Sequence, residues 1–400
     1  MANMTDGTLP ARATDAPKVA FFNDPKTRSL IFQGLALALL VFVIFTAVTN
    51  AVTNLRNQNI AGGFGFLDQT AGFGISQTPI PWSESMSYGR AFLIGLLNTL
   101  LVAIVGIFFA TLLGFVVGVA RLSPNWVISK IAYWYVEVIR NLPLLFQILF
   151  WYLAVLASMP TPRNSHSLFG LFFANQRGIT VPRPIFETGS GSIGIALVIG
   201  IVAAFAVRSW AFKRQAATGQ QFPVAASMAG LILGLPILAY VVAGMPVSFD
   251  YAQQGRFNLT GGMTLIPEFV ALTLALVAYT AAFIGEIVRA GIQAVSYGQT
   301  EAGRSLGLPE GRILNLVVVP QALRVIIPPL TSQYLNLAKN SSLAVGIGYP
   351  DMVSVGGTIL NQTGQAIEII AMWMGCYLTI SIVTSIFMNW YNQRIALVER

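Results

Sequence analysis

The 400-residue chain has few charged residues and almost none of the residues that hold metals or form disulfides. Only 10% of it is charged, 55% is hydrophobic, and the mean hydropathy is +0.69. The single cysteine, Cys376, has no disulfide partner, and one histidine, His166, cannot build a His/Cys metal site. Cys376 stands in an apolar stretch, which favours a small buried hydrophobic role over a catalytic pairing with His166.

The chain also lacks a nucleotide-binding loop. None of its lysines follows a glycine, so the Gly-Lys-Ser/Thr sequence that cradles phosphates is missing. The clustered acids, bases or metal ligands that a membrane-bound enzyme needs are not supplied by the spans either. We therefore expect that the chain is not an enzyme and binds no cofactor or metal itself.

Long apolar segments are abundant. A helix of about 20 apolar residues crosses a hydrocarbon core of about 30 Å, and the composition is that of a membrane protein. The sequence predicts an all-α integral membrane protein with about eight transmembrane helices, near residues 30–49, 91–119, 132–157, 190–207, 223–246, 269–288, 322–345 and 368–389.

The distribution of lysine and arginine sets the orientation. With the N-terminus inside, fifteen of the 23 cations fall on inner segments and six on outer ones, while Arg140 and Lys339 fall within spans. This bias follows the positive-inside rule and predicts that both tails, 1–29 and 392–400, are cytoplasmic. The net charge of +8 reflects this asymmetry, and cations so dispersed do not make a nucleic-acid-binding surface.

The longest polar inner segment has a distinctive spacing. Glu301-Ala302-Gly303 is followed after three residues by Gly307, and after nine more by Val317-x-Val319-Pro320. Gly307 permits a tight turn, and the proline two residues later suits the start of a helix. The spacing predicts two short amphipathic helices, which either present a surface to a cytoplasmic partner or form a simple interfacial loop.

This pattern resembles the EAA loop of ATP-binding-cassette (ABC) importer permeases, EAA-x3-G-x9-I-x-LP. It departs at Gly303, Val317 and Val319, where the family has Ala, Ile and Leu. In that family the loop sits in a cleft of a cytoplasmic ATPase and passes its motion to the spans. The resemblance implies that the ATPase-coupling residues are Glu301, Ala302, Gly303, Gly307, Val317 and Pro320.

Three further stretches, 135–153, 281–308 and 317–348, resemble the polar amino acid (histidine/glutamine-type) permeases. The resemblance implies a type I ABC importer permease (MetI-like) fold over 91–391, with an insertion at about 158–250 and the EAA coupling loop at about 298–320. Residues 30–90 add a first transmembrane helix and an extracytoplasmic loop. That loop is either a structured lid without a ligand or a surface for a soluble partner. These additions resemble the larger permeases of general L-amino-acid transport systems.

The resemblance implies a permease subunit that imports a broad range of L-amino acids across the bacterial inner membrane by alternating access. It implies a second permease subunit in a hetero-pair, two ATPase subunits that use ATP and Mg, and a periplasmic amino-acid-binding protein. A secondary carrier driven by an ion gradient is the alternative, although the sequence shows no repeat of the kind that such carriers often have.

Charges within spans are costly and often mark function. Glu137 and Arg140 are three residues apart, as are Glu286 and Arg289, so each pair shares a helix face. These four residues serve either fixed salt bridges or gating. Pro143 lacks an N–H and predicts a kink in a gating helix.

The last polar feature lies within a span. Lys339 is fifteen residues beyond Arg324, which lies at the inner end of the same span, and is therefore about 22 Å along the helix. With Asn340, Ser341 and Ser342 it is the candidate substrate pathway.

In an alternative interpretation, the ammonium group of Lys339 reaches the membrane surface by snorkelling or pairs with a distant carboxylate such as Asp351. The resembling family usually has Lys-Asp-Thr-Ser at these positions. Asn340 therefore replaces an anion that can face a cationic substrate.

Overall fold

The computed structural model describes residues 25–57, 62–255 and 258–395. Most of the two predicted cytoplasmic tails lies outside these ranges. Within them, seven helices are long and apolar enough to cross a membrane, and one bent helix pair brings the number of candidate spans to eight. This number agrees with the prediction.

Helix α1 (Pro25–Asn57) belongs to a unit of its own that ends at Phe64. Its apolar segment Thr27–Asn50 has 24 residues, or about 36 Å of helix, which is enough to cross a bilayer. Apolar side chains are exposed along this segment, as expected where the surroundings are lipid. The hydroxyl of Thr46 donates to the Phe42 carbonyl at 2.8 Å, so this polar group needs no water.

Two helices form the centre of the second unit, α2 (Tyr88–Arg121) and α7 (Pro267–Gln293). Glycines on α2 let them approach closely. A Cβ atom at Gly114 would lie 2.5 Å from Cγ2 of Ile284, and one at Gly118 would also clash with the next turn of α7. Because lipid tails are as apolar as the side chains, such close packing drives helix association in a bilayer.

The third predicted span is broken in two. Helix α3 (Trp126–Asn141) and helix α4 (Leu144–Leu149), which continues as a π-helix (Phe150–Leu156), meet at an angle of 108°. The predicted kink is present, but it is a complete break, and the segment begins before residue 132.

Both halves of the broken segment contact α7. The Tyr135 hydroxyl donates to the carbonyl of Ala278, in the middle of α7, at 2.7 Å. The Tyr152 hydroxyl donates to Glu268, in the first turn of α7, at 2.9 Å. The first half therefore contacts the middle of α7, and the second half contacts its first turn.

The next two spans, α5 (Gly191–Thr218) and α6 (Val224–Val242), pack mainly against each other. A Cβ atom at Gly200 would lie 2.5 Å from the carbonyl oxygen of Leu231, so this glycine sets their close approach. Many of their apolar side chains are exposed, which suits helices surrounded by lipid.

Eight short strands lie in the outer segments that flank this hairpin. They are β1 (His166–Leu168), β2 (Phe172–Asn175), β3 (Gly178–Val181), β4 (Arg183–Phe186), β5 (Val247–Asp250), β6 (Gln253–Gln254), β7 (Leu259–Thr260) and β8 (Met263–Leu265). One antiparallel sheet has the order β1-β2-β3-β8, and β4–β5 and β6–β7 form two small pairs.

The sequence predicts spans on either side of these segments but no strands within them. The reason is the length of the strands, because two to four residues are too few for a visible alternation of apolar and polar side chains. Two of the pairings, β3 with β8 and β4 with β5, also join strands that are remote in sequence.

The C-terminal third contains the remaining helices. They are α8 (Tyr297–Ser305), α9 (Glu310–Ile313), a π-helix (Leu314–Val318), α10 (Val319–Asn340), a 3-10 helix (Ser341–Ile347), α11 (Met352–Thr363) and α12 (Ala366–Ile395). The outer loop from Gly65 onward packs on α2 and α11, with Phe66 and Ala71 buried among their side chains. That part of the first outer loop is therefore structured.

Candidate functional site

The segment with the EAA-like spacing begins with helix α8 and ends it in a Schellman motif. The N–H of Leu308 donates to the carbonyl of Gly303 at 3.1 Å, and the N–H of Gly307 donates to that of Arg304 at 2.9 Å. Gly307 has a φ of 71°, a left-handed conformation that glycine adopts without the steric cost of a Cβ atom. The predicted turn at this residue is present.

The second predicted short helix is not separate. Pro309 precedes α9, and α9, the π-helix and α10 follow one another without a break. The first turn on the inner side is thus the beginning of a transmembrane helix. Val317 lies within the π-helix and Pro320 in the first turn of α10. Because Pro320 has no N–H to donate to the preceding turn, the loosened helix at this point has a physical cause.

Helix α8 packs against α9 at Gly303. It is the one buried residue of α8, and a Cβ atom added to it would lie 2.9 Å from Cγ1 of Ile313. Ile313 is itself 1% exposed. The family's alanine is therefore replaced by glycine at a position where the bulk of isoleucine fills the space.

A polar contact supports the same junction from outside. The Nε of Arg304 donates to Glu310 at 2.7 Å, and one of its Nη atoms donates to the hydroxyl of Tyr297 at 2.9 Å. These bonds raise the pKa of Arg304 further above its usual range. They join the start of α8, its last turn and the start of α9.

The rest of α8 faces outward from the protein. Glu301 and Ala302 are exposed, and the large side chains of Tyr297 and Leu306 are 63% and 79% exposed. Two large apolar side chains beside a carboxylate on an inner polar element are typical of a surface that binds another protein.

An ion-pair cluster lies just before α8, where α2 and α7 end. Glu286 bonds to Arg289 at 2.5 Å and also pairs with Arg121 of α2. The side chain of Arg121 is only 9% exposed. The predicted pair Glu286–Arg289 is present, and the cluster ties α7 to α2 close to the inner surface.

The second predicted pair, Glu137 with Arg140, is wrong, because each of the two residues contacts a different partner. A carboxylate oxygen of Glu137 lies 4.0 Å from Arg121. The guanidinium of Arg140 instead lies 5.0 Å from the centre of the Phe283 ring. Because α3 packs against α7, Arg140 makes a cation–π contact with Phe283, and the ion pairs of the described residues do not include Glu137 with Arg140.

The break at Pro143 is stabilised by one side chain. Leu142, which precedes the proline, has an extended backbone with ψ of 131°, as residues before proline prefer. Gln147 is 6% exposed and donates to the carbonyls of Ile139 and Leu142 at 2.9 and 3.0 Å. It thus satisfies carbonyls that the broken helix would otherwise leave unpaired in the membrane.

The Lys339 segment lies near mid-membrane. Leu337, one turn before the end of α10, packs against Gly106, near the middle of α2. Lys339 is exposed, and among the described residues none of the ion pairs includes it. Asp351, its alternative partner, instead accepts from the N–H of Ser354 at 2.8 Å and caps α11.

The other predicted pathway residues differ in accessibility. Asn340 is partly exposed, whereas Ser341 is completely buried and donates to the Ala338 carbonyl at 2.8 Å. Ser342 donates to the Lys339 carbonyl at 2.8 Å. The two hydroxyls thus serve the end of α10 in this conformation, and Lys339 and Asn340 offer the accessible polar groups.

Sequence reasoning misses the polar network on the outer side of this segment. Asn98 of α2 donates to the carbonyls of Gln77 and Pro350, both at 2.9 Å, and the Gln77 side chain reaches the Tyr349 hydroxyl at 3.3 Å. Burial raises the pKa of the neighbouring Asp351 to about 7. The only sequence signal is an aspartate just before α11, a typical helix cap.

Comparison with known proteins agrees with this architecture. Residues 106–397 match the family described as binding-protein-dependent transport system inner membrane component. The general L-amino acid transport system permease protein of Rhizobium johnstonii is 54% identical over 98% of each chain. A putative amino-acid ABC transporter permease protein of Escherichia coli is 52% identical over 97% of this chain and 99% of its own.

A more distant relative is the glutamate/glutamine/aspartate/asparagine transport system permease protein of Rhodobacter capsulatus. It is 40% identical over 98% of this chain and 100% of its own. The family model matches most of the chain, and these permeases are similar to it over its full length. The chain therefore belongs to the family of binding-protein-dependent transport system inner membrane components.

Proposed function

We propose that the chain is a permease subunit of an ATP-driven importer of L-amino acids with a broad substrate range. The observation that carries the proposal is one uninterrupted helical path. It starts at Glu310, beside α8, and ends at Asn340, next to Lys339. Its 31 residues, about 45 Å at 1.5 Å each, join the inner surface to mid-membrane.

The inner end of this path fits an ATPase partner. Glu301, Ala302 and Leu306 of α8 are exposed, and the Schellman turn at Gly307 fixes α8 against the helix that continues into the membrane. We assign α8 and the following turn to coupling with an ATPase subunit, which holds ATP and Mg²⁺. Nucleotide-driven movement of α8 then moves α10 through the contact of Gly303 with Ile313.

The outer end fits a zwitterionic substrate. The Lys339 ammonium can attract the carboxylate of an amino acid, and the amide of Asn340 can bond to neutral or charged side chains without selecting one sign. An unpaired cation near mid-membrane is costly, which supports a place beside the translocation path rather than against lipid. Ser341 and Ser342 shape the end of α10 there.

One chain presents one α8 and thus one docking surface. We therefore propose a pair of permease subunits, two ATPase subunits on the inner side and a soluble binding protein on the outer side. We take the second permease to be a different chain, since the relatives include two different glutamate/aspartate import permease proteins of Escherichia coli.

The test is ATP-driven uptake of L-glutamine and L-glutamate by proteoliposomes that contain the complete complex, with Gly307→Val compared with Gly311→Val. Gly311 lies in α9, and a Cβ atom there meets nothing within 4 Å. Valine fits the helical backbone of residue 311, but it is strained at the left-handed backbone of residue 307. We expect that only the change at residue 307 uncouples ATP hydrolysis from uptake.

Both variants are first checked for membrane insertion and for co-purification of the ATPase. Equal uptake by the two variants would contradict the coupling role of the turn. Uptake by the wild type without ATP, driven by an ion gradient, would make a secondary carrier the better proposal.

A further inference from the structure

The outer sheet contains a hairpin turn with an unsuitable residue at its tip. The N–H of Leu171 donates to the Leu168 carbonyl at 3.1 Å, and the two central residues, Phe169 and Gly170, have φ of 55° and 68°. Positive φ at both positions defines a type I′ turn, which favours Asn-Gly. Gly170 meets this requirement, whereas a bulky residue at positive φ is strained.

Phe169 also exposes a large apolar surface, which lowers solubility. Its side chain is 85% exposed, the highest value among the large apolar residues of the described chain, and Leu168 beside it is 58% exposed. Leu171 and Phe172 are each 39% exposed. Asparagine at residue 169 would improve both the turn and the solubility, so the aromatic ring needs another reason.

The strand register shows where the tip points. At the tip, Leu168 of β1 pairs with Phe172 of β2. The next residue of β2, Phe173, pairs with Thr180 of β3. The residue after Thr180, Val181, pairs with Met263 at the start of β8. Strand β8 runs from Met263 towards α7. The β1–β2 tip therefore lies at the end of the sheet that is farthest from the entry of α7 into the membrane.

We propose that this apolar tip, made of Leu168, Phe169, Leu171 and Phe172, is a docking contact for the substrate-loaded soluble binding protein. The inference rests on the proposed function. The family is by description dependent on a binding protein, and the tip lies at the end of the outer sheet that is farthest from the start of α7. Exposed aromatic side chains are the usual anchors of protein interfaces.

The apolar and aromatic character of the tip defines the partner further. The partner is expected to offer an apolar pocket for Phe169.

The turn itself provides a test that separates docking from folding. Phe169→Asn gives the preferred Asn-Gly turn and removes the ring. Met245→Asn is a matched control, because Met245 also has a positive φ of 59° and is 59% exposed. It lies at the end of α6, outside the tip. Both changes relieve the same backbone strain.

The measurement uses the complete complex in nanodiscs and the binding protein of the system, saturated with L-glutamine or with L-glutamate. We expect Phe169→Asn to raise the binding-protein concentration for half-maximal ATPase stimulation at least about tenfold, as for the loss of an anchor residue. The complex should melt at the same or a higher temperature. Met245→Asn should change the half-maximal concentration less than about twofold, as expected outside a docking surface.

A half-maximal concentration that is unchanged by Phe169→Asn would overturn the docking proposal and leave the proposed function standing. Failure of the loaded binding protein to stimulate the wild type would instead overturn the proposed function, and the docking contact with it. A photo-crosslinking aromatic residue at position 169 identifies the neighbour directly. A product with the binding protein supports the proposal, and a product with only lipid or another permease chain overturns it.

Discussion

The contact between Gly303 and Ile313 gives a prediction whose sign depends on the partner residue. Replacing Gly303 by alanine restores the family's residue and adds a methyl group. That methyl group would lie 2.9, 3.2 and 3.3 Å from Cγ1, Cδ1 and Cγ2 of Ile313. All three distances are shorter than a comfortable contact, and Ile313 is only 1% exposed, so it has no room to move without shifting α9.

Two free-energy terms oppose each other in this variant. Overpacking of a tight contact costs about 1–3 kcal/mol, whereas alanine in a helix gains about 1 kcal/mol over glycine. Gly303→Ala is therefore expected to destabilise the α8–α9 junction by up to about 2 kcal/mol. Ile313→Ala removes all three of these atoms. In that background, Gly303→Ala should stabilise the junction by about 1 kcal/mol.

Hydrogen–deuterium exchange is the assay, because it reports local opening free energies. The amides of Gly307 and Leu308 are bonded to the carbonyls of α8, so a peptide that spans the junction reports its opening. Gly298→Ala is the control, since its added Cβ atom would come no closer than 3.7 Å to another residue. If Gly303→Ala changed protection in the same direction in both backgrounds, the packing argument would be refuted.

Further predictions concern the charged and polar residues of the spans. Glu286→Gln removes the charge that pairs with Arg121, whose side chain is 9% exposed, so the yield of folded complex should fall severalfold. Glu310→Gln removes a charge from an exposed pair and should leave the yield unchanged. Lys339→Met should raise the substrate concentration for half-maximal uptake about tenfold or more and Lys339→Arg less, as measured in proteoliposomes. Asp351 has a pKa raised from 3.8 to about 7, so the folded wild type should lose stability as the pH rises from 4 to 7. Asp351→Asn should therefore melt at an increasingly higher temperature than the wild type over this range, and a constant difference between the two would contradict the assignment.

The sequence was sufficient for features that depend on composition and on local chemistry. Apolar length alone locates the spans, because lipid requires helices to satisfy their own backbone. The turn at Gly307 and the break at Pro143 follow from the conformations that glycine and proline allow. The size of the break does not follow, because the angle of 108° depends on the packing of α3 and α4 against α7.

Features that depend on remote partners were missed or misassigned. Glu137 and Arg140 satisfy the spacing rule for a helical pair, but Phe283 and Arg121 approach them from other helices. Strands β3 and β8, and β4 and β5, pair across the α5–α6 hairpin, so no local pattern reveals these pairings. The polar network of Asn98 with Gln77 and Pro350 joins three separate segments, and only the folded chain brings them together.

The proposed coupling of α8 to Lys339 depends on how firmly the helices between them are held. The cluster of Glu286 with Arg121 and Arg289 holds α7 to α2, and the glycines of α2 allow these helices to pack without a gap. Helix α10 has no such ion pair among the described residues, and its inner end begins in a π-helix, where backbone hydrogen bonding is weaker than in an α-helix. We propose that a displacement of α8 is resisted by the α2–α7 pair and taken up by α10. Because α10 ends at Asn340, the displacement would then reach the accessible cation of Lys339, whereas the hydroxyl of Ser341 is buried.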